Sequence, residues 1–164
     1  MTASTSAPTA VLARALALLV PAGALGGALF SQYVGGLYPC EMCLWQRWPY
    51  WVAAGLAGLG IVLPGRARAV LIGLAGVAAP VTAAIGGLHV GVEQGWWPSP
   101  LPGCQAPTAA GGGTIDDMMR GLAAAPSKPC DAATYLIPGL PLSMAAMNLL
   151  YGLGLGVLAL ALAR

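Results

Sequence analysis

The sequence is short of charge. Seven Lys or Arg and five Asp or Glu make up 7% of its 164 residues, and it has one histidine. With 58% hydrophobic residues and a mean hydropathy of +0.78, it has too few polar side chains to cover a water-soluble globule. We therefore expect a lipid bilayer to be its solvent, and we expect no nucleic-acid partner.

Four apolar segments are each long enough to cross the hydrocarbon core, which takes about 20 residues. They run over about 15–34, 44–63, 69–91 and 140–163. A cleaved signal peptide is the alternative for the first segment. The sequence predicts an all-α membrane protein, with residues 1–164 forming a single four-transmembrane-helix bundle and outer loops at about 35–43 and 92–139.

The sparse basic residues predict which way the bundle faces. Arg14, Arg66, Arg68 and Arg164 flank the same ends of the predicted spans, while all five acidic residues and all five tryptophans fall on the other side. Basic residues favour the cytoplasm, and tryptophans favour the membrane interface. We expect both termini in the cytoplasm and all four cysteines facing outward, where disulfides persist.

A CxxC motif stands where the first outer loop meets the second predicted span. Cys40 and Cys43 are followed one helical turn later by Arg47. A helix N-terminus and a nearby cation both lower a thiol pKa. An arginine at this depth either reaches towards lipid headgroups or faces the bundle interior. Beside two cysteines we favour the second, with Arg47 stabilising a thiolate or a reduced cofactor.

Cys104 and Cys130 lie in the long second outer loop. On their own they indicate a structural disulfide that braces the loop. Because the CxxC faces the same side, thiol-disulfide exchange between the two pairs is the alternative. A four-cysteine zinc site would need a second closely spaced pair, which the sequence lacks, so we predict no metal.

Two further features of the outer face have open interpretations. From Thr114 to Leu122 the apolar residues have the spacing of a short amphipathic helix, which would lie on the membrane or dock on a partner protein. His89 and Glu93 are one helical turn apart near the end of the third span. They either form a hydrogen-bonded pair that closes the helix or handle protons.

In this order, the motifs resemble those of the disulfide bond formation protein B (DsbB) family over essentially the whole chain. The residues that carry the resemblance are Cys40-Glu41-Met42-Cys43 with Gln46-Arg47, the run from His89 to Pro98, then Cys104, and Cys130-Asp131.

The resemblance implies a thiol relay in the bacterial inner membrane. A reduced periplasmic thioredoxin-fold oxidase of the DsbA type would attack Cys104, consuming a Cys104/Cys130 disulfide. Cys130 would then exchange with Cys40, and Cys43 would pass the electrons to a quinone of the membrane pool. The protein would thus be a protein-dithiol:quinone oxidoreductase.

The same resemblance implies a quinone site. Arg47 matches the family arginine beside the quinone ring, and His89 and Met144 match positions that line the site with Cys43. No residue distinguishes ubiquinone from menaquinone. Tyr135 and Met147 stand where many relatives have tryptophan.

Two other functions compete with this one. A quinone or epoxide reductase resembling vitamin K epoxide reductase would move electrons the other way, but its CxxC usually lies at the end of a later span. A non-catalytic membrane scaffold would use the disulfides only as braces, and it leaves Arg47 unexplained.

Overall fold

The computed structural model describes residues 7–101, 104, 114–115 and 128–163. This part of the chain contains four α-helices: α1 (Ala7–Tyr33), α2 (Glu41–Val62), α3 (Gly65–Glu93) and α4 (Met144–Ala163). The β-structure among the described residues is one isolated antiparallel bridge, between Tyr135 and Ser143. The predicted all-helical architecture is confirmed.

Two of the helices are long and apolar enough to cross a membrane. They are Val11–Tyr33 within α1 and the whole of α3, and α4 contributes a shorter apolar stretch, Met144–Val157. Large apolar side chains on every helix are exposed, among them Phe30, Trp48, Val77 and Leu153. Such extensive exposed apolar surface is typical of a protein surrounded by lipid.

The last helix begins later than predicted. The expected span starts at residue 140, whereas α4 begins at Met144. Ser143 pairs with Tyr135 in the bridge, and its hydroxyl accepts a hydrogen bond from the Ala146 amide at 3.1 Å. A serine hydroxyl satisfies an otherwise free amide of the first turn, so Ser143 caps the helix and the preceding apolar residues stay outside it.

The turn between α2 and α3 is tighter than predicted. The predicted spans leave residues 64–68 between them, whereas only Leu63 and Pro64 lie between the helices. Gly65, the first residue of α3, has a φ of +66°, which glycine adopts at little cost. Arg68 donates a hydrogen bond to the Leu63 carbonyl at 3.1 Å, which satisfies a group at the end of α2.

α3 lies between α2 and α4, and α1 packs mainly on α2. The approach of α3 to α4 depends on glycines. A β-carbon added at Gly152 would lie 3.0 Å from the Ala83 amide nitrogen, and one added at Gly86 would lie 3.1 Å from that of Leu149. Small residues let helices approach closely in lipid, where van der Waals packing drives association.

Gly152→Ala should therefore destabilise the bundle, because its new methyl group would push against the α3 backbone. Overpacking of this kind costs about 1–3 kcal/mol. Gly154→Ala is the matched control, since a β-carbon there meets nothing within 4 Å. Unfolding in detergent micelles, followed by circular dichroism, measures the difference. Equal stability of the two variants would contradict the close α3–α4 contact.

Candidate redox site

The structure brings the two cysteine pairs together at one end of the helices. Cys104 and Cys130 form a disulfide with a Cα–Cα distance of 4.8 Å. Cys40 and Cys43 are free thiols whose sulfur atoms are 2.7 Å apart. Cys40 packs with both disulfide cysteines in one buried cluster, which Met42 and Val92 complete. A thiol and a disulfide in one cluster can exchange without a large rearrangement of the backbone.

The start of α2 gives the two CxxC thiols different environments. Cys40 is the N-cap of the helix, and its sulfur accepts a hydrogen bond from the Cys43 amide at 3.2 Å. Cys43 lies in the first turn, ahead of the predicted span that begins at Leu44. The thiol hydrogen bond from Cys40 is the main cause that lowers the pKa of Cys43 to about 7; burial opposes it, and the charges of Lys128 and Arg47 assist.

The same contact acts in the opposite direction on Cys40. Its hydrogen bond to Cys43, burial and the nearby negative charge of a Cys43 thiolate all raise the pKa of Cys40 above its usual range. As the pH rises through neutrality, Cys43 therefore loses its proton first, while Cys40 keeps its own. Because a thiolate is the reactive form of cysteine, Cys43 is the electron-rich sulfur of the pair.

His89 lies between the two cysteine pairs. Its Nε2 is 3.6 Å from the Cys40 sulfur and 3.2 Å from the Cys130 carbonyl oxygen. Its Nδ1 is 2.8 Å from the side-chain nitrogen of Gln46. The imidazole is buried, with 2% of the residue exposed. Leaving either ring nitrogen without a hydrogen-bond partner would therefore be costly.

Glu93 is close to His89 but is held by another residue. The distance from His89 Nε2 to Glu93 Oε1 is 4.0 Å, the outer limit of an ion pair. The other carboxylate oxygen accepts a hydrogen bond from the Ser143 hydroxyl at 2.5 Å. The acidic group thus ties the end of α3 to the start of α4, and the closest polar contacts of the imidazole are those to Gln46 and Cys130.

Arg47 faces the bundle interior, towards α1. Its guanidinium donates to the Gln32 side-chain oxygen at 2.5 Å and to the Ala28 carbonyl at 3.4 Å. These contacts hold the charge one helical turn beyond Cys43. The predicted inward orientation agrees with this placement, and the charge lowers the pKa of Cys43.

A cavity of about 390 Å³ opens beside these groups, between α1, α2 and α4. Of the predicted cofactor-binding residues, Cys43, Arg47 and Met144 line it and His89 does not; Gln46 does. The volume falls in the usual range for small-molecule sites, about 300–1,000 Å³. The walls are mostly apolar and include the Cys43 thiol, the Arg47 guanidinium and a few polar side chains such as Asn148. This lining fits a planar, uncharged acceptor with polar oxygens.

Cys40, Cys43 and His89 are also a possible metal-ligand set. Their donor atoms lie within 4.8 Å of one another. The two sulfurs are however 2.7 Å apart, closer than two thiolates on one zinc ion with Zn–S bonds of about 2.3 Å in tetrahedral geometry. His89 Nε2 also lies at hydrogen-bond distance from a carbonyl. The geometry fits a thiol pair and a hydrogen-bond donor better than a metal site.

Sequence reasoning missed three residues of the site. Gln46 contacts His89, Gln32 holds Arg47, and Lys128 lowers the pKa of Cys43. Of these three, only Gln46 could have been suspected from the sequence, because it directly precedes Arg47 in the motif. The predicted amphipathic helix lies outside the described residues, apart from Thr114 and Ile115.

Alkylation by iodoacetamide should distinguish the two free thiols. Because only thiolates react, modification of Cys43 should rise with a midpoint near pH 7, while Cys40 stays largely unmodified. Peptide mass spectrometry after timed quenching reads each cysteine separately. Arg47→Gln should move the Cys43 midpoint to higher pH, since it removes a positive charge. Equal modification of both cysteines at every pH would contradict the assignment.

Comparison with known proteins matches this chain to one family. The family model described as "Disulfide bond formation protein DsbB" matches residues 10–162. "Disulfide bond formation protein B" from Chromohalobacter salexigens is 34% identical over 108 residues, covering 64% of this chain and 58% of that relative. No solved structure matches this chain.

Proposed function

The chain belongs to the DsbB family of disulfide bond formation proteins, and from that premise we propose that it reoxidises a periplasmic thioredoxin-fold oxidase of the DsbA type and passes the electrons to a membrane quinone. The family makes it a membrane oxidoreductase with redox-active cysteines. The observation that carries the proposal is the packing of a disulfide, Cys104–Cys130, against a free CxxC.

In this proposal the chain is one domain with four spans, and both termini lie in the bacterial cytoplasm. α2 and α4 then cross the membrane alongside α1 and α3, which have the required length and hydropathy. The positions of the basic residues support this orientation. So do Trp45, Trp48 and Trp51, which are all exposed on the outer half of α2. The cysteines then face the periplasm.

The thiol relay balances without any other reactant. The reduced partner attacks Cys104 and leaves with its own disulfide formed, and Cys104 and Cys130 are left as thiols. Cys130 as thiolate attacks the Cys40 sulfur of a Cys40–Cys43 disulfide, and Cys43 leaves as a thiolate. Cys104 then attacks Cys130, which restores the loop disulfide and releases Cys40. Two electrons and two protons have passed to the CxxC pair.

After this exchange the loop disulfide is formed and Cys40 and Cys43 are thiols, which is the pairing that the structure contains. Cys43, the thiol whose pKa is lowered, lines the cavity. The next step of the relay therefore begins with the electron-rich sulfur at the cavity wall.

The cavity supports quinone as the acceptor. A bound quinone supplies a sink for two electrons and two protons. Arg47 would hold an oxygen of the ring through its guanidinium, and Met144 would pack against the ring as an adaptable apolar wall. His89 does not line the cavity but contacts Gln46, which does. Ubiquinone and menaquinone both meet these requirements.

Loss of the loop disulfide should abolish electron flow without unfolding the bundle. Cys104→Ser removes the sulfur that the partner attacks, so oxidation of a reduced DsbA-type partner by a soluble quinone should fall to the rate without protein. Partner thiols and quinone absorbance are followed together. If the variant loses thermal stability but still transfers electrons at the wild-type rate, the disulfide is a brace and the scaffold interpretation replaces this one.

Filling the cavity should weaken quinone binding selectively. Gly27 lines the cavity, and a β-carbon there meets nothing within 4 Å, so Gly27→Leu introduces a side chain at the cavity wall without a clash at its β-carbon. The KM for quinone should rise about tenfold, which corresponds to about 1.4 kcal/mol of lost binding.

Gly26→Leu is the matched control for this experiment. Gly26 is on the same helix, is exposed and has equal room, but it does not line the cavity. Its KM should match that of the wild type. The same KM in both variants would place the quinone elsewhere.

A further inference from the structure

The contacts of His89 fix which of its nitrogens carries the proton. A carbonyl oxygen only accepts hydrogen bonds, so the 3.2 Å contact with Cys130 requires a hydrogen on Nε2. In a neutral imidazole, Nδ1 is then the acceptor, and the Gln46 amide nitrogen at 2.8 Å is its donor. The two contacts agree on one tautomer.

Gln46 is rigidly held in the position that this role requires. Only 7% of the residue is exposed. Its backbone carbonyl accepts a hydrogen bond from the buried Thr82 hydroxyl at 3.2 Å, which joins α2 to α3. The hydrogen bond from Gln46 to His89 likewise links α2 to α3. Both side chains are thus placed by the packing of the same two helices.

The protonated Nε2 lies next to the two residues that exchange. The nitrogen is 3.6 Å from the Cys40 sulfur and 3.2 Å from the backbone carbonyl oxygen of Cys130. Besides the Cys130 carbonyl, which accepts this hydrogen, the next oxygen acceptor is the Glu93 carboxylate, which is 4.0 Å away and accepts a hydrogen bond from Ser143. When Cys40 is released as a thiolate, this N–H is the hydrogen-bond donor already in place.

We propose that Gln46 is a positioning residue for thiol exchange: it holds His89 in the tautomer whose Nε2–H supports Cys40 and the Cys130 carbonyl. The inference rests on the proposed function. It assigns the histidine to the exchange between the cysteine pairs and not to the cavity, which His89 does not line. The electrons still pass from Cys130 to Cys40 as described above, and the imidazole donates a hydrogen bond without being consumed.

Nitrogen NMR tests the tautomer directly. Because the chain has one histidine, ¹⁵N-histidine labelling of protein prepared without a histidine tag gives one pair of ring signals. The wild type should show Nε2 protonated and Nδ1 unprotonated. In Gln46→Glu, measured at a pH where the new carboxylate is ionised, a side chain of the same shape offers Nδ1 only acceptors, so Nδ1 should carry a proton. Gln94→Glu, at the exposed end of α3, should keep the wild-type signals.

A kinetic experiment tests the role in exchange. Quinone-free protein with both disulfides formed is mixed with excess reduced DsbA-type partner under anaerobic conditions. The first electron pair reduces Cys104–Cys130 and the second must reach Cys40–Cys43, so partner oxidation has two phases. The ratio of second to first rate should fall about 10- to 100-fold in Gln46→Glu, as when a group that orients a functional histidine is lost.

Controls separate the possible failures. Gln46→Met, which is uncharged and of similar length, should lower the same ratio of rates. It shows that the effect of Gln46→Glu is not due to misfolding caused by a buried charge. Gln94→Glu should leave the ratio unchanged. A proton on Nδ1 in the wild type, or an unchanged ratio in both Gln46 variants, overturns the inference. A wild type without a first phase contradicts the proposed function itself.

Discussion

The hydrogen bond between His89 and the Cys130 carbonyl ties the segment that precedes α4 to the helix bundle. It joins a residue buried between helices to the backbone of a loop, at 3.2 Å. The disulfide then brings Cys104 to the same place, and a hydrogen bond from the Cys130 amide to the Cys104 carbonyl adds to it. Together with the packing of Cys40, Met42 and Val92 against the disulfide, this connection places the two cysteine pairs in one cluster.

Around that connection, the few polar groups of the bundle are paired with one another across helices. Tyr50 donates to Asn148, whose amide contacts Thr82, and Thr82 donates to the Gln46 carbonyl. No buried side-chain nitrogen or oxygen among the described residues lacks a partner. In a low-dielectric interior an unpaired polar group is costly, so this network fixes how α2, α3 and α4 meet and hence where the site residues lie.

The sequence was most informative about features that depend on a single segment of the chain. Continuous apolar runs predicted four helices, and the CxxC with Arg47 one turn later predicted an inward arginine near Cys43. Contacts between helices were not predictable, because periodicity does not set the relative rotation of two helices. The Gln46–His89 and Gln32–Arg47 hydrogen bonds belong to this class.

The start of α4 illustrates the same limit. Residues 140–143 are apolar enough to continue a span, but Ser143 forms a bridge with Tyr135 and accepts a hydrogen bond from the first turn. Hydropathy alone gives no weight to either interaction. The helix therefore begins at the residue after its cap, and Ser143 is left to contact Glu93 of α3.

The central claim is that the two cysteine pairs exchange directly within one chain. The double variant Cys43→Ser, Cys104→Ser leaves only Cys40 and Cys130, which belong to the same buried cluster. On mild oxidation at low protein concentration, mass spectrometry of its peptides should find a Cys40–Cys130 disulfide within the monomer. Two free thiols, or only disulfides between chains, would contradict the account.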